Sequence, residues 1–142
     1  MAIERAFTFP GQFSSLTAIG EFVVRAAQDA GLDDRAVYGV QMAVDEACSN
    51  IIEYGYDGGG DGEIECVCRI DETGLTVILR DQGEAFDPDN VPEPDTHADL
   101  EDRDGGGLGV YFMRKLTDEM SFEHTTDSGN VLTLVKRKEP PS

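Results

Sequence analysis

An α+β, two-layer sandwich is the fold class the sequence predicts: a mostly antiparallel sheet with three main helices on one face. Three observations predict it. Two long stretches with apolar residues three and four apart follow a short alternating segment. Two pairs of strand-like segments, Glu63 to Ile70 with Leu75 to Arg80 and about Glu119 to His124 with Val131 to Arg137, are each joined by turn residues. A third helical stretch, ending near Thr117, separates the two pairs. At 142 residues the chain has the length of one domain with a genuine core, spanning 1–142.

The first strand is expected over Ile3 to Phe9, where Ile3, Phe7 and Phe9 alternate with polar neighbours and Pro10-Gly11 ends the run. A helix from about Ser14 to Ala30 carries Leu16, Ile19, Phe22, Val23, Ala26 and Ala27 on one side. Ser14 or Ser15 can cap its start and Gly31 suits its end. The second helix begins near Asp33, with Asp33 or Asp34 as cap, and is expected to run towards Tyr56. Tyr56 to Gly62 is a glycine-rich break. Asp71-Glu72-Thr73-Gly74 turns the first hairpin. A long acidic segment with three prolines, about 82–104, has the character of a lid, since structureless loops of this length are uncommon in small domains. Gly105-Gly106-Gly107-Leu108-Gly109 opens the third helix, whose Leu108, Tyr111, Phe112 and Leu116 are expected to face inward. Asp127-Ser128-Gly129-Asn130 joins the last two strands.

The 29 acidic residues against 11 basic ones give a net charge of −18, which argues against nucleic-acid binding through phosphates and is compatible with a basic protein partner. No apolar run has the length of a membrane span, and residues 1–9 lack a signal peptide's pattern, so a cytoplasmic location is expected. Cys48, Cys66 and Cys68, an odd and small number, do not suggest a disulfide framework and read as small buried residues; Cys66 and Cys68, two apart on a strand, share a face.

Three constellations carry chemistry. On a wheel of about 100° per residue, Val37, Val40, Val44, Ala47 and Ile51 form one arc of the second helix, and Glu46, Asn50 and Glu53 form a polar stripe elsewhere. Carboxylate and amide oxygens suit Mg²⁺, and a carboxylate beside it can act as a general base. On the helix alone, a polar face turned to water explains the stripe equally well. Asp81-Gln82-Gly83 stands where a strand hands over to a loop. Such an Asp can accept from the exocyclic amine of adenine while Gly83 lets a ligand approach the backbone; an ordinary acidic turn is the alternative. Gly105 to Gly109 at a helix start exposes amides and positive potential to phosphate, with Arg103 and Arg114 as nearby cations. A flexible hinge is the alternative here. Neither a Walker loop nor a Rossmann fingerprint fits the spacing.

Together, in this order, the three resemble the GHKL (Bergerat-fold) ATP-binding superfamily: Glu46-x-x-x-Asn50 is similar to its N box, Asp81-x-Gly83 to its first glycine box and Gly105-x-Gly107-x-Gly109 to its second. Within it, Asp45 to Tyr56, Asp81-Gln82-Gly83-x-x-Phe86-Asp87-Pro88 and Gly107 to Arg114 resemble the anti-sigma regulatory factor serine/threonine kinases of bacteria. The resemblance covers nearly the whole chain. It implies ATP and Mg²⁺ as cofactors, with Asn50 binding the Mg²⁺ that bridges the phosphates and Glu46 as catalytic base for a serine hydroxyl. It implies that Asp81 binds the adenine amine beside Gly83 and that Gly105, Gly107 and Gly109 wrap the phosphates. Glu53, Phe86, Arg103, Gly106 and Leu108 complete the expected cofactor-binding set. The implied partner is a STAS-domain anti-anti-sigma protein that competes with a sigma factor, and homodimers are common among such proteins. Two other functions stand beside this one: a nucleotide-gated binding module with little kinase activity, and the catalytic domain of a histidine kinase, for which neither His97 nor His124 sits on a dimerisation helix.

Overall fold

The computed structural model describes residues 2–56, 58–83, 113–125 and 129–138. In chain order these form β1 (Ile3–Pro10), a 3₁₀ turn (Phe13–Ser15), α1 (Leu16–Asp29), α2 (Asp34–Asn50), a π-type turn (Ile51–Gly55), β2 (Glu63–Asp71), β3 (Gly74–Asp81), β4 (Glu119–Thr125) and β5 (Gly129–Arg137). Residues 113–116 are also helical. The strands make one sheet in the order β1-β2-β3-β5-β4, antiparallel at every junction. This is the two-layer α+β sandwich expected from the sequence.

Alternation decides which face of the sheet is covered. Ile64, Cys66, Cys68 and Ile70 of β2 stand beside Asp81, Leu79, Val77 and Leu75 of β3 in the register, and all eight are buried. Against them pack Ile19, Val23, Ala26 and Ala27 of α1 and Val40, Ala43, Val44 and Ala47 of α2. Truncating a residue at the middle of this layer, such as the fully buried Leu79, to Ala costs about 2–5 kcal/mol. The opposite face carries directly opposed ion pairs, Glu4 with Arg69 at 3.3 Å and Glu65 with Arg80 at 2.8 Å. These exposed pairs fix register more than they stabilise.

The helix ends follow local chemistry. Asp33 accepts from Ala36 N at 2.8 Å and caps α2. The end of α1 is a Schellman motif, with Gly31 N on Gln28 O and Leu32 N on Ala27 O. Neither Ser14 nor Ser15 caps α1 with a side chain; a 3₁₀ turn leads into the helix instead. The first hairpin is tighter than expected: Asp71 and Gly74 pair in the ladder, and Asp71 Oδ1 accepts from Thr73 N and Gly74 N. The three cysteines are buried and free. Burial pushes the Cys48 thiol above its ordinary range, with Asp45 and Asp81 adding to it. The Cys66 thiol is raised first by its hydrogen bond with Cys68 and then by burial. Among the described residues no helix is long and apolar enough to cross a membrane.

Candidate functional site

The site is built where α2 stops. Its polar stripe does not run on to Tyr56 in α-helical spacing, because Ile51–Gly55 widens into a π-type turn in which Tyr56 N bonds Ile51 O at 3.1 Å, five residues back. Such widened turns occur often at functional sites. The change separates the stripe. Asn50, the last residue of α2, is 6% exposed, whereas Glu53 in the turn is exposed. Asn50 Nδ2 is the one buried side-chain polar atom among the described residues without a hydrogen-bond partner. A buried amide group left unmade is costly, so an acceptor brought by a ligand would be favoured there. A half-turn of the amide would present its oxygen instead, as a cation needs. Glu46, one turn earlier, is half-buried, and its carboxyl is held above the ordinary range by desolvation and then by the Asp45 charge.

The second half of the site is the end of β3. Asp81 is 5% exposed. Its Oδ1 accepts from Gly83 N at 2.9 Å and from Asn130 Nδ2 at 2.9 Å. Burial raises the Asp81 carboxyl above its ordinary value, while these hydrogen bonds and the nearby His124 pull it back. Asn130 Nδ2 also donates to Gly83 O at 3.0 Å. His124 Nδ1 lies 2.7 Å from Asn130 Oδ1.

The two halves abut. A Cβ on Gly83 would lie 2.6 Å from Gly55 O, so only glycine fits where the loop after β3 crosses the end of the π-type turn. Tyr56 ties the same junction: its hydroxyl donates to Glu63 O at 2.7 Å and accepts from Gln82 N at 2.9 Å. The structure thus sets Gly83, two residues after Asp81, against Gly55 at the end of the π-type turn that continues α2 beyond Asn50, with Glu46 one turn back along the helix. Of the remaining site residues, Phe86, Arg103, Gly105, Gly106, Gly107, Leu108 and Gly109 lie outside the described residues, as does the lid beyond Gly83.

Three residues of this junction have no role in the sequence reading. Asn130 reads there as a turn residue, His124 as a strand end and Tyr56 as part of a glycine-rich break. Asn130 and Tyr56 act through partners far along the chain, Asp81 and Gln82, and His124 acts through Asn130 across the β4–β5 pair.

Residues 9–136 match the histidine kinase-like ATPase domain family. The serine-protein kinase RsbW of Halalkalibacterium halodurans is 33% identical over 101 residues, 68% of this chain and 60% of that protein. The chain therefore spans about three-fifths of the length of that relative. The anti-sigma F factor of Clostridium novyi is 29% identical over 98 residues, 69% of this chain and 68% of that protein. Among solved structures, the RsbU and RsbW domains of Rv1364c from Mycobacterium tuberculosis superpose with a TM-score of 0.67 at 15% identity, covering 97% of this chain and 33% of that one; at that identity the likeness is one of fold. With the match running from β1 into β5, the chain belongs to the histidine kinase-like ATPase domain family.

Proposed function

We propose that the chain, as a single domain over 1–142, is a cytoplasmic ATP-dependent protein serine/threonine kinase of the anti-sigma type, acting on a STAS-domain anti-anti-sigma partner. The observation that carries this reading is the buried Asn50 Nδ2 without a partner at the end of α2, one turn from Glu46 and followed by the π-type turn whose Gly55 meets Gly83 of the Asp81–Gly83 loop. The names of the relatives, a serine-protein kinase and an anti-sigma factor, support the same choice.

In this reading Asp81 accepts from the adenine amine, and Gly83 lets the base lie against the backbone. Asn50 is the residue that would hold Mg²⁺, consistent with an amide that lacks a partner in a buried position. The cation would supply neutralisation of phosphate charge. The serine hydroxyl oxygen bonds to the γ-phosphorus, the bond from that phosphorus to the bridging oxygen breaks, and ADP leaves. The hydroxyl proton passes to Glu46. A carboxylate desolvated enough to hold a proton more tightly than usual suits that task. Gly105, Gly107 and Gly109 would wrap the phosphates. Glu53, Phe86, Gly106 and Leu108 join them by their place in or beside the family's motifs, and Arg103 as a cation close in sequence to the glycines that would meet the phosphates. A sigma factor is the proposed competitor for the STAS protein, and a homodimer the proposed assembly. Ile3 and Phe7, exposed on the edge strand β1, are apolar surface that such a pairing would cover.

The test is transfer of labelled γ-phosphate from Mg·ATP to STAS proteins of the same source, with Glu46→Gln as control. Labelling of one serine or threonine, lost in the variant, is the expected result. ATP binding without transfer to any of them would favour the nucleotide-gated binding module. Absence of ATP binding would overturn the reading.

A further inference from the structure

We propose that Asn130 is a positioning residue for nucleotide recognition: its side-chain amide fixes the Asp81 carboxylate so that one carboxylate oxygen is turned to the amine of the base. The inference rests on the reading of Asp81 given above and adds the device that makes Asp81 selective.

The geometry begins in the sheet register. Asp81 of β3 stands opposite Asn130 of β5, and Asn130 stands opposite His124 of β4. The three side chains form one row on the helix-covered face. The close approach depends on Gly129, whose φ of +73° is a glycine conformation and where a Cβ would lie 2.4 Å from Asp81 O. A larger residue at 129 would push β5 away and take the amide of Asn130 with it.

Within the row the hydrogen-bond roles are forced. Asn130 Nδ2 spends both hydrogens, one on Asp81 Oδ1 at 2.9 Å and one on Gly83 O at 3.0 Å. Turning the amide over would set its oxygen against two acceptors, so this orientation is locked. An amide oxygen only accepts, so the ring nitrogen facing it, His124 Nδ1 at 2.7 Å, carries the hydrogen. That bond satisfies the third polar position of an amide that is 3% exposed.

The consequence falls on Asp81. Its Oδ1 takes donors from two separate elements, Gly83 N after β3 and Asn130 Nδ2 on β5. Two donors on one oxygen fix the rotation of the carboxylate, and Oδ2 is the oxygen assigned to the ligand. The acceptor is thus oriented before the nucleotide arrives, which spares binding the cost of ordering it. Asn130 acts through Asp81 and makes no contact with the ligand itself.

The test is isothermal titration calorimetry of the full chain with Mg·ATP and with Mg·purine riboside triphosphate, which keeps the ring and phosphates but lacks the amine. Wild type should prefer ATP by roughly tenfold or more, the scale of one oriented hydrogen bond. Asn130→Ala, and the nearly isosteric Asn130→Asp, should weaken ATP and leave the analogue within about twofold of wild type, so that the preference collapses to about threefold or less. Retained binding of the analogue also shows that the variants are folded. Equal weakening of both nucleotides would mean that Asn130 serves the structure alone, and an unchanged preference would mean that it does not orient Asp81; either overturns the proposal. Wild type that binds both nucleotides equally would overturn the reading of Asp81 itself.

Discussion

The Asn130 amide donates to the Asp81 carboxylate at 2.9 Å across the β3–β5 junction, and both residues are almost wholly buried. A hydrogen bond to a charged group in such a place contributes about 1.5–3 kcal/mol, and removing the donor alone leaves the acceptor desolvated. Asn130→Ala should therefore lower the urea-unfolding free energy by about 2 kcal/mol. In an Asp81→Ala background the same change should cost much less, giving a coupling of about 0.5–3 kcal/mol in the double-mutant cycle. Additivity would show that the two side chains do not interact energetically.

Acidification should erase the preference for the amine-bearing nucleotide before it erases binding of the phosphates. Burial holds the Asp81 carboxyl above its ordinary range, which is about 3.9 for aspartate. An ionised Asp81 offers the amine a charged acceptor; once protonated, with two donors already on Oδ1, it carries the proton on Oδ2 and accepts there only weakly. The ratio of ATP to purine riboside triphosphate affinity should be full at neutral pH and fall as pH drops through that raised value. The stability sign is opposite. A carboxyl raised on folding contributes stability that is fully present below its unfolded pKa and lost as pH rises through its folded pKa. A ratio constant from neutrality to about pH 4 would mean that Asp81 is not the acceptor.

Tyr56→Phe tests the junction between the two halves of the site. The hydroxyl is the shared partner of Glu63 O and Gln82 N. Its loss leaves a carbonyl and an amide of the backbone without that partner, at a cost of about 1–3 kcal/mol. Because Gln82 directly follows Asp81, the loop after β3 should loosen as well. Faster amide exchange at Gln82 and Gly83 is the expected result, with the centre of β3 unchanged. Exchange unaltered at both residues would place the anchor of this loop elsewhere.

The layers of the fold were legible because they are written in periodicity. Ile64, Cys66, Cys68 and Ile70 alternate, Val37, Val40, Val44 and Ala47 recur at helical spacing, and all eight are buried as their spacing requires. Asp33 as a cap was legible for the same local reason. The site was legible only in part. Asn50 and Asp81 stand out in the sequence as candidate ligand residues, and the structure buries both, at the ends of α2 and β3. The π-type turn was not, since it arises where α2 must meet the loop after β3 and not from any one residue's preference. Asn130 and His124 carry no signal in the sequence because their meaning depends on register. A glycine-asparagine pair looks like any turn until β5 is laid beside β3.

Glu46→Gln should separate stability from chemistry. Desolvation, helped by the Asp45 charge, raises the Glu46 carboxyl in the folded chain. Wild type therefore loses stability as pH rises through that folded pKa, and at neutral pH the ionised side chain is a standing cost. Glutamine keeps the shape without the charge. The variant should melt at or above the wild-type temperature at neutral pH, and the difference should vanish below about pH 4.3, the ordinary glutamate value. ATP binding should persist, because Asp81 and Asn50 are untouched. Phosphoryl transfer should fall by about 10²–10⁴-fold, the usual contribution of a general base. A variant that is more stable, binds ATP and does not transfer phosphate would mean that burying this carboxylate is a cost kept for catalysis. One that is less stable yet still transfers phosphate would make Glu46 a structural residue and leave the serine proton without an acceptor on α2.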